Sequence, residues 1–298
     1  MRIDPLIKKI LLLSISIAII IGSGGVTYWL LNVYYKPVTV QERFIKIGDK
    51  VDVDYIGYYP DTGLIFDTSM YSVASNNDSY PKAPDFSFRG ETEYTFLKVY
   101  VGSASGGNVE GYGQMIEGFW KALIGLKKGD TRTVLVPPEL GYGEKNPELI
   151  KKIPIIEEIP IKVVVTTEQF SSTFSVSPVI NGYYKHPFWK WNVTIFSIFG
   201  NEVIYLNQPE YGSILNAYGW KSKIISIDSS ANNGDGVIKV QHELHDYDAY
   251  RVKGIDQTKT PFYVIKVDKQ NGTITIDYNK QTTGRNIAFT ITVRDIKK

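Results

Sequence analysis

A chain of 298 residues, 43% of them apolar, has enough hydrophobic material for two ordinary domains. Its 33 basic and 31 acidic side chains leave a formal charge of +2, which gives no electrostatic reason to expect a nucleic acid or an acidic partner. Cysteine is absent, which excludes disulfides, a thiolate nucleophile, a cysteine-ligated metal and a lipid-modified cysteine anchor.

From the start of the chain, no charge falls between Lys9 and Lys36, and residues 10–31 are almost wholly apolar. At about 1.5 Å per residue this stretch spans the roughly 30 Å hydrocarbon core of a bilayer. The expectation is a cytoplasmic tail over 1–9 and a transmembrane helix over 10–35. Arg2, Lys8 and Lys9 mark the cytoplasmic side, and Tyr28, Trp29, Tyr34 and Tyr35 form an outer aromatic belt. A single-pass cell-membrane protein with its bulk outside the cytoplasm follows. The alternative is a cleaved signal peptide centred on LLLSISIAIII with cleavage within 22–25; against it, apolar character resumes at Val26 and no A-x-A-like site is present.

After a linker over 36–43, IKIGDKVDVDYIGYY alternates as a strand, with Val51, Val53 and Tyr55 on one face and Asp52, Asp54 and Ile56 on the other. Asp61-Thr62-Gly63 supplies a turn, and residues 64–67 begin the returning strand. Residues 70–93, rich in Ser, Asn, Asp and Pro, read as a long surface excursion before a strand over 94–101. The glycine-rich loop 103–113 fits no phosphate-cradling template, since it lacks G-x-G-x-x-G spacing and no G-K-[ST] follows.

Ile116, Phe119, Leu123 and Leu126 then recur at helical spacing, and Gly125, Lys127, Lys128 and Gly129 close the helix. A β-rich run over 131–136 is stopped by Pro137 and Pro138, and Gly141-Tyr142-Gly143 follows at once. Beyond it, three segments starting at Trp191, Trp220 and Phe262 each place Gly, Asn or Asp between two alternating apolar runs, the signature of a hairpin. Two origins fit three such hairpins: internal duplication, or the ordinary reuse of one pattern in an all-β chain. His186, His242 and His245 are the only histidines. His242-Glu243-Leu244-His245 lacks the H-E-x-x-H spacing of a zinc site and falls on a predicted strand, so a surface or partner-facing role is read for it and no metal is expected.

MIEGFWKALIGLKKGD and PPELGYGEKNPELI closely resemble the core of FKBP-type peptidyl-prolyl cis-trans isomerases. GDKVDVDYIGYYPDTGLIFDTS resembles the first strands of that fold, down to the Phe66-Asp67 pair, and TGRNIAFTITVRDI resembles its closing strand. Where a compact member has a short flap, roughly 130 residues intervene here, and their flanks resemble the SlyD-like branch, whose flap is replaced by a β-rich chaperone domain. The resemblance implies an α+β class: an FKBP-like antiparallel sheet wrapped on a short helix over 44–152 and 283–298, with a mainly-β insert over 153–282. By resemblance Tyr55, Phe66, Asp67 and Tyr142 act on substrate, while Met115, Ile116, Phe119 and Phe289 line the proline pocket. Ile116 would supply a backbone N–H, Phe119 the pocket floor, Tyr142 a hydroxyl for a substrate carbonyl, and Tyr55 a hydroxyl that holds Asp67. Around Asn279-Lys280-Gln281-Thr282 the chain departs from the family, which more often has apolar or histidine residues there.

Rotation about an X-Pro bond faces a barrier of roughly 18–20 kcal/mol from amide resonance. The twisted amide loses resonance and much of its carbonyl dipole, so a dry apolar pocket with one or two placed polar groups favours it over the solvated ground state. No nucleophile, metal or cofactor is required. Two functions are expected from different classes: an isomerase and folding helper whose partners are unfolded or proline-containing polypeptides, or a non-enzymatic membrane-anchored scaffold that holds one specific partner.

Overall fold

The computed structural model describes residues 42–103 and 107–297. The membrane-span expectation at 10–35 lies outside them; among the described residues no helix is long and apolar enough to cross a membrane.

The strands, numbered in chain order, begin with β1 (Lys50–Tyr58), β2 (Ile65–Thr68), β3 (Leu97–Tyr100), β4 (Asn108–Val109), β5 (Tyr112–Gln114) and β6 (Thr131–Val136). These join the last strand of the chain in a seven-stranded sheet in which β1 is central, pairing antiparallel with β3, with β2 and with the closing strand Ile287–Lys297. One short helix, Glu117–Leu123, lies on this sheet with Gly118, Phe119, Ala122 and Leu123 buried. A Cβ at Gly118 would stand 2.5 Å from the Val136 side chain, so glycine is what lets the helix reach β6 so closely. Phe119, Leu123, Val51, Val53, Val99 and Ile291 are fully buried in one core.

The two faces of β1 are not a core face and a wet one. On the face opposite Val51, Val53 and Tyr55, Asp52 and Asp54 are only 9% and 6% exposed. Asp54 accepts from the Ser69 hydroxyl at 2.9 Å and from Arg294 Nε at 2.6 Å, while Asp52 faces Lys297 at 3.1 Å. Long side chains of the closing strand thus cover the second face and neutralise the charges they bury. The 70–93 excursion is likewise not all surface: it folds a short helix, Tyr71–Ala74, and buries Val73 and Ala83.

Between β6 and the closing strand the chain builds three four-stranded sheets around a separate core. Their strands are β7 (Ile150–Pro154), β8 (Ile156–Pro160), β9 (Lys162–Thr166), β10 (Tyr183–Lys185), β11 (Asn192–Phe199), β12 (Glu202–Gln208), β13 (Ile214–Leu215), β14 (Ser222–Asp228), β15 (Val237–His242), β16 (Lys253–Ile255), β17 (Pro261–Asp268) and β18 (Thr273–Asp277). The closing strand is β19 (Ile287–Lys297). The orders β10-β11-β12-β9, β13-β14-β15-β8 and β16-β17-β18-β7 are one pattern used three times. Each hairpin shifts register at the same step, Ile195/Ser197, Ile224/Ser226 and Val264/Lys266.

The stretch from β7 to β9 deals one strand to each sheet. IKKIP, IEEIP and KVVVT follow one another at six-residue intervals, pairing Asp277 with Ile150, Gln241 with Ile156 and Leu206 with Lys162. The residues that link the sheets keep the same spacing: the N–H groups of Ile155, Ile161 and Thr167 reach the carbonyls of Gly272, Gly236 and Asn201 at the hairpin tips. The three hairpins expected at Trp191, Trp220 and Phe262 are therefore equivalent in topology and register. At equivalent positions Val203, Ile238 and Ile274 are each fully buried, as are Ile195, Ile224 and Val264.

Candidate active site

Four aromatic rings converge where β1, β2, the short helix and β19 meet. Phe119 is fully buried, with its ring 5.9 Å from Tyr55 and 5.0 Å from Phe289, both edge-on. Phe66 stands edge-on to Phe289 at 5.6 Å and leans on Tyr59 at 5.0 Å. Alternation on β1 and β19 brings these rings together: Tyr55 pairs with Ile291 and Gly57 with Phe289, so their side chains share one face. Met115 and Ile116 are half-buried against the same cluster. Ile116 precedes the helix with extended ψ, and its N–H has no hydrogen-bond partner among the described residues. Such an N–H at a helix start is a free donor.

The polar half of the site centres on Asp67. Its Oδ2 accepts from the Tyr55 hydroxyl at 2.5 Å, and its Oδ1 accepts from the Thr68 N–H at 2.8 Å and from Arg89 at 3.1 Å. Burial pushes the Tyr55 phenol well above its usual range, and the adjacent Asp67 charge pushes it further, so Tyr55 keeps its proton and donates it. Arg89 also donates to the Thr68 carbonyl and stacks over Tyr94, its guanidinium carbon 4.7 Å from the ring centre.

Tyr142 sits between glycines on the loop after β6, 44% exposed. Among the described residues its hydroxyl has no hydrogen-bond partner. Partial burial raises its pKa, and the charges of Asp67 and of Asp85 raise it further. The phenol is therefore a neutral donor at physiological pH.

Tyr55, Phe66, Asp67, Phe119 and Phe289 are thus joined in one series of contacts, with Met115 and Ile116 on the same core and Tyr142 within the electrostatic reach of Asp67. Sequence reasoning missed Arg89. It stands 22 residues beyond Asp67, inside a stretch whose composition marks only a loop, and nothing in the spacing points it back. It also missed Tyr59 and Asp85, which pair through the Tyr59 hydroxyl at 2.6 Å.

The polar run 279–282 works at the base of the three-sheet region. Asn279 exchanges hydrogen bonds with the N–H and carbonyl of Asn146, both at 3.0 Å, and its own N–H donates to Asp277. This ties the outgoing chain to the incoming one. His242, read from sequence as a surface or partner-facing residue, is instead 2% exposed: its Nδ1 lies 2.8 Å from the Ser222 hydroxyl and accepts from Trp220 Nε1 at 3.2 Å. At the equivalent position of the first hairpin Asn207 accepts from Trp191 Nε1 at 2.7 Å. His242 is a core residue that satisfies a buried indole. His245, 50% exposed, is at the surface.

The cluster of Tyr55, Phe66, Phe119 and Phe289 thus carries a tyrosine-held carboxylate at its edge. Residues 104–159 match the family of FKBP-type peptidyl-prolyl cis-trans isomerases. A short-type peptidyl-prolyl cis-trans isomerase of Methanocaldococcus jannaschii is 39% identical over 112 residues, 38% of this chain and 59% of that protein. FK506-binding protein 2 of Kluyveromyces lactis is 29% identical over 119 residues, 40% of this chain and 63% of that one. A probable FKBP-type 16 kDa peptidyl-prolyl cis-trans isomerase of Pseudomonas fluorescens is 43% identical over 44 residues, 15% of this chain and 29% of that protein. The chain spans less than two thirds of the length of each of these relatives. Together the matches support an FKBP-type isomerase domain.

Proposed function

We propose that the chain is a peptidyl-prolyl cis-trans isomerase and folding helper of the SlyD-like kind, held on the outer face of a membrane by residues 10–35, whose 153–282 insert binds unfolded clients. The observation that carries the isomerase reading is the closed aromatic set around Tyr55, Phe66, Phe119 and Phe289 with the Tyr55–Asp67 hydrogen bond at its edge. Proline packs on the rings, which exclude water from the amide. The Ile116 N–H and the Tyr142 hydroxyl orient substrate carbonyls, and Asp67 acts on the amide dipole while Tyr55 and Arg89 hold it in place. Each 1.36 kcal/mol gained in the twisted state over the planar one gives about tenfold in rate.

Client binding by the insert is supported by its exposed apolar side chains. Val164, Val179, Ile180, Tyr183, Phe196 and Phe199 are 51–87% exposed, the last at 87%. Open strand edges with such side chains recruit extended chains by main-chain hydrogen bonding. Direct prolyl-isomerisation kinetics on residues 36–298 test the enzyme reading. No measurable activity on a proline tetrapeptide would leave the scaffold reading. Replacing 153–282 with a short flap should keep tetrapeptide activity within about tenfold while abolishing suppression of aggregation. For the membrane assignment, external protease on right-side-out vesicles should digest epitopes placed beyond Gly48; protection until lysis refutes it.

A further inference from the structure

Arg285, just before β19, is buried, its side chain 5% exposed. Its guanidinium carbon lies 3.7 Å from the ring centre of Tyr59 and 4.3 Å from that of Tyr250. Nη2 pairs with Asp61 at 2.5 Å, while Nε and Nη1 are buried with no hydrogen-bond partner among the described residues. The planar cation is thus held mainly by its faces.

The two rings belong to different halves of the molecule. Tyr59 follows β1 and packs on Phe66 of the aromatic site. Tyr250 belongs to the three-sheet region, its N–H donating to the Val264 carbonyl at 2.7 Å. Tyr250 also has a φ of 60°, a conformation costly for a residue with a bulky side chain. Its carbonyl is fixed by Gln281 Nε2 at 2.8 Å, and Lys145 stands 5.4 Å from its ring. Arg251 adds a bond to the Thr62 carbonyl at 3.3 Å. A strained residue, a desolvated cation and two aromatic faces converge on one seam.

We propose that Arg285, clamped between Tyr59 and Tyr250, is a positioning residue that fixes the three-sheet region relative to the aromatic site, so that a polypeptide held on the former presents its proline to the latter. The clamp reaches the site through an unbroken series of rings, Tyr250, Tyr59, Phe66 and Phe289, with the guanidinium as the one link between the halves of that series. The delivery step rests on the isomerase and client-binding reading; the fixed setting does not.

The test uses the full chain, whose lack of cysteine permits clean labelling at Glu139→Cys and Lys221→Cys on exposed positions of the two halves. Spin-label distance distributions are compared with and without Tyr250→Asn, which tolerates the left-handed backbone but removes the ring, and Arg285→Lys, which keeps the charge but has no planar face. The expected result is a distribution broadened about twofold in both variants, with tetrapeptide kcat/KM within about twofold of the parent and the ratio of catalysed protein refolding to tetrapeptide turnover reduced about tenfold. Unchanged distributions in both variants would overturn the proposal, as would a tetrapeptide loss as large as the refolding loss. If Tyr250→Asn does not fold, Arg285→Lys carries the comparison. A parent without tetrapeptide activity would refute the isomerase reading, while the distance distributions would still decide whether the clamp fixes the seam.

Discussion

Tyr142→Phe separates chemistry from stability more cleanly than any other change at the site. The Tyr142 hydroxyl has no hydrogen-bond partner among the described residues, and the residue is 44% exposed, so removing one oxygen breaks no bond of the folded protein and opens no cavity. The melting temperature should therefore stay within about 1 °C of the parent. In the role proposed for it the same hydroxyl gains a partner on substrate, and a neutral hydrogen bond contributes about 0.5–1.5 kcal/mol net. At 1.36 kcal/mol per decade this lowers kcat/KM about threefold to tenfold. The assay is direct isomerisation of a proline tetrapeptide in parallel with thermal unfolding of both proteins. Unchanged kcat/KM in a folded variant would remove Tyr142 from the site; a large fall in melting temperature would show that its hydroxyl is bonded in the free protein, contrary to the geometry.

A Cβ at Gly57 would stand 2.7 Å from the Phe66 ring and 3.0 Å from that of Phe289, so Gly57→Ala must displace the pocket wall, at an overpacking cost of about 1–3 kcal/mol, and should lower kcat/KM about tenfold or more in the tetrapeptide assay. Asn207 accepts from Trp191 Nε1 at 2.7 Å and donates to the Pro160 carbonyl at 3.0 Å, so Asn207→Ala strands the buried indole N–H and should cost about 1–3 kcal/mol in urea unfolding while leaving tetrapeptide turnover unchanged. His186 is held down to about 4 by burial and then by Lys190, with its Nδ1 accepting the N–H groups of Phe188 and Trp189. A depressed histidine stabilises the fold fully above its unfolded pKa of 6.5, and this contribution fades as pH falls from there towards 4. The loss amounts to about 3 kcal/mol; His186→Asn should flatten that part of the stability profile between pH 7 and 4, and an unchanged profile would refute the assignment.

The sequence by itself determined the elements whose cause is local. Proline pairs end strands because they lack an N–H, the spacing of Ile116, Phe119 and Leu123 makes one helical face, and Gly or Asn between alternating runs makes hairpins; all three appear where expected, at Val136, at Glu117–Leu123 and in the three hairpins. The resemblance named Tyr55, Phe66, Asp67, Phe119 and Phe289 together, and strand alternation is why Tyr55 and Phe289 share a face in the fold. What it did not contain was partnership at a distance. Asp52 and Asp54 look like a solvent face until Arg294 and Lys297, some 240 residues on, arrive to cover them. Arg89 looks like loop until the excursion folds it back onto Asp67. His242 falls in alternation on the face of Ile238 and Val240, and what the sequence did not show is the partner that makes its burial tolerable, the Trp220 indole and Ser222 hydroxyl brought beside it by β14. The six-residue dealing of β7, β8 and β9 to three separate sheets is of the same kind. The three strands are consecutive in the chain, yet β7 pairs with β18, β8 with β15 and β9 with β12, and that choice is made by the shared core the three sheets must enclose.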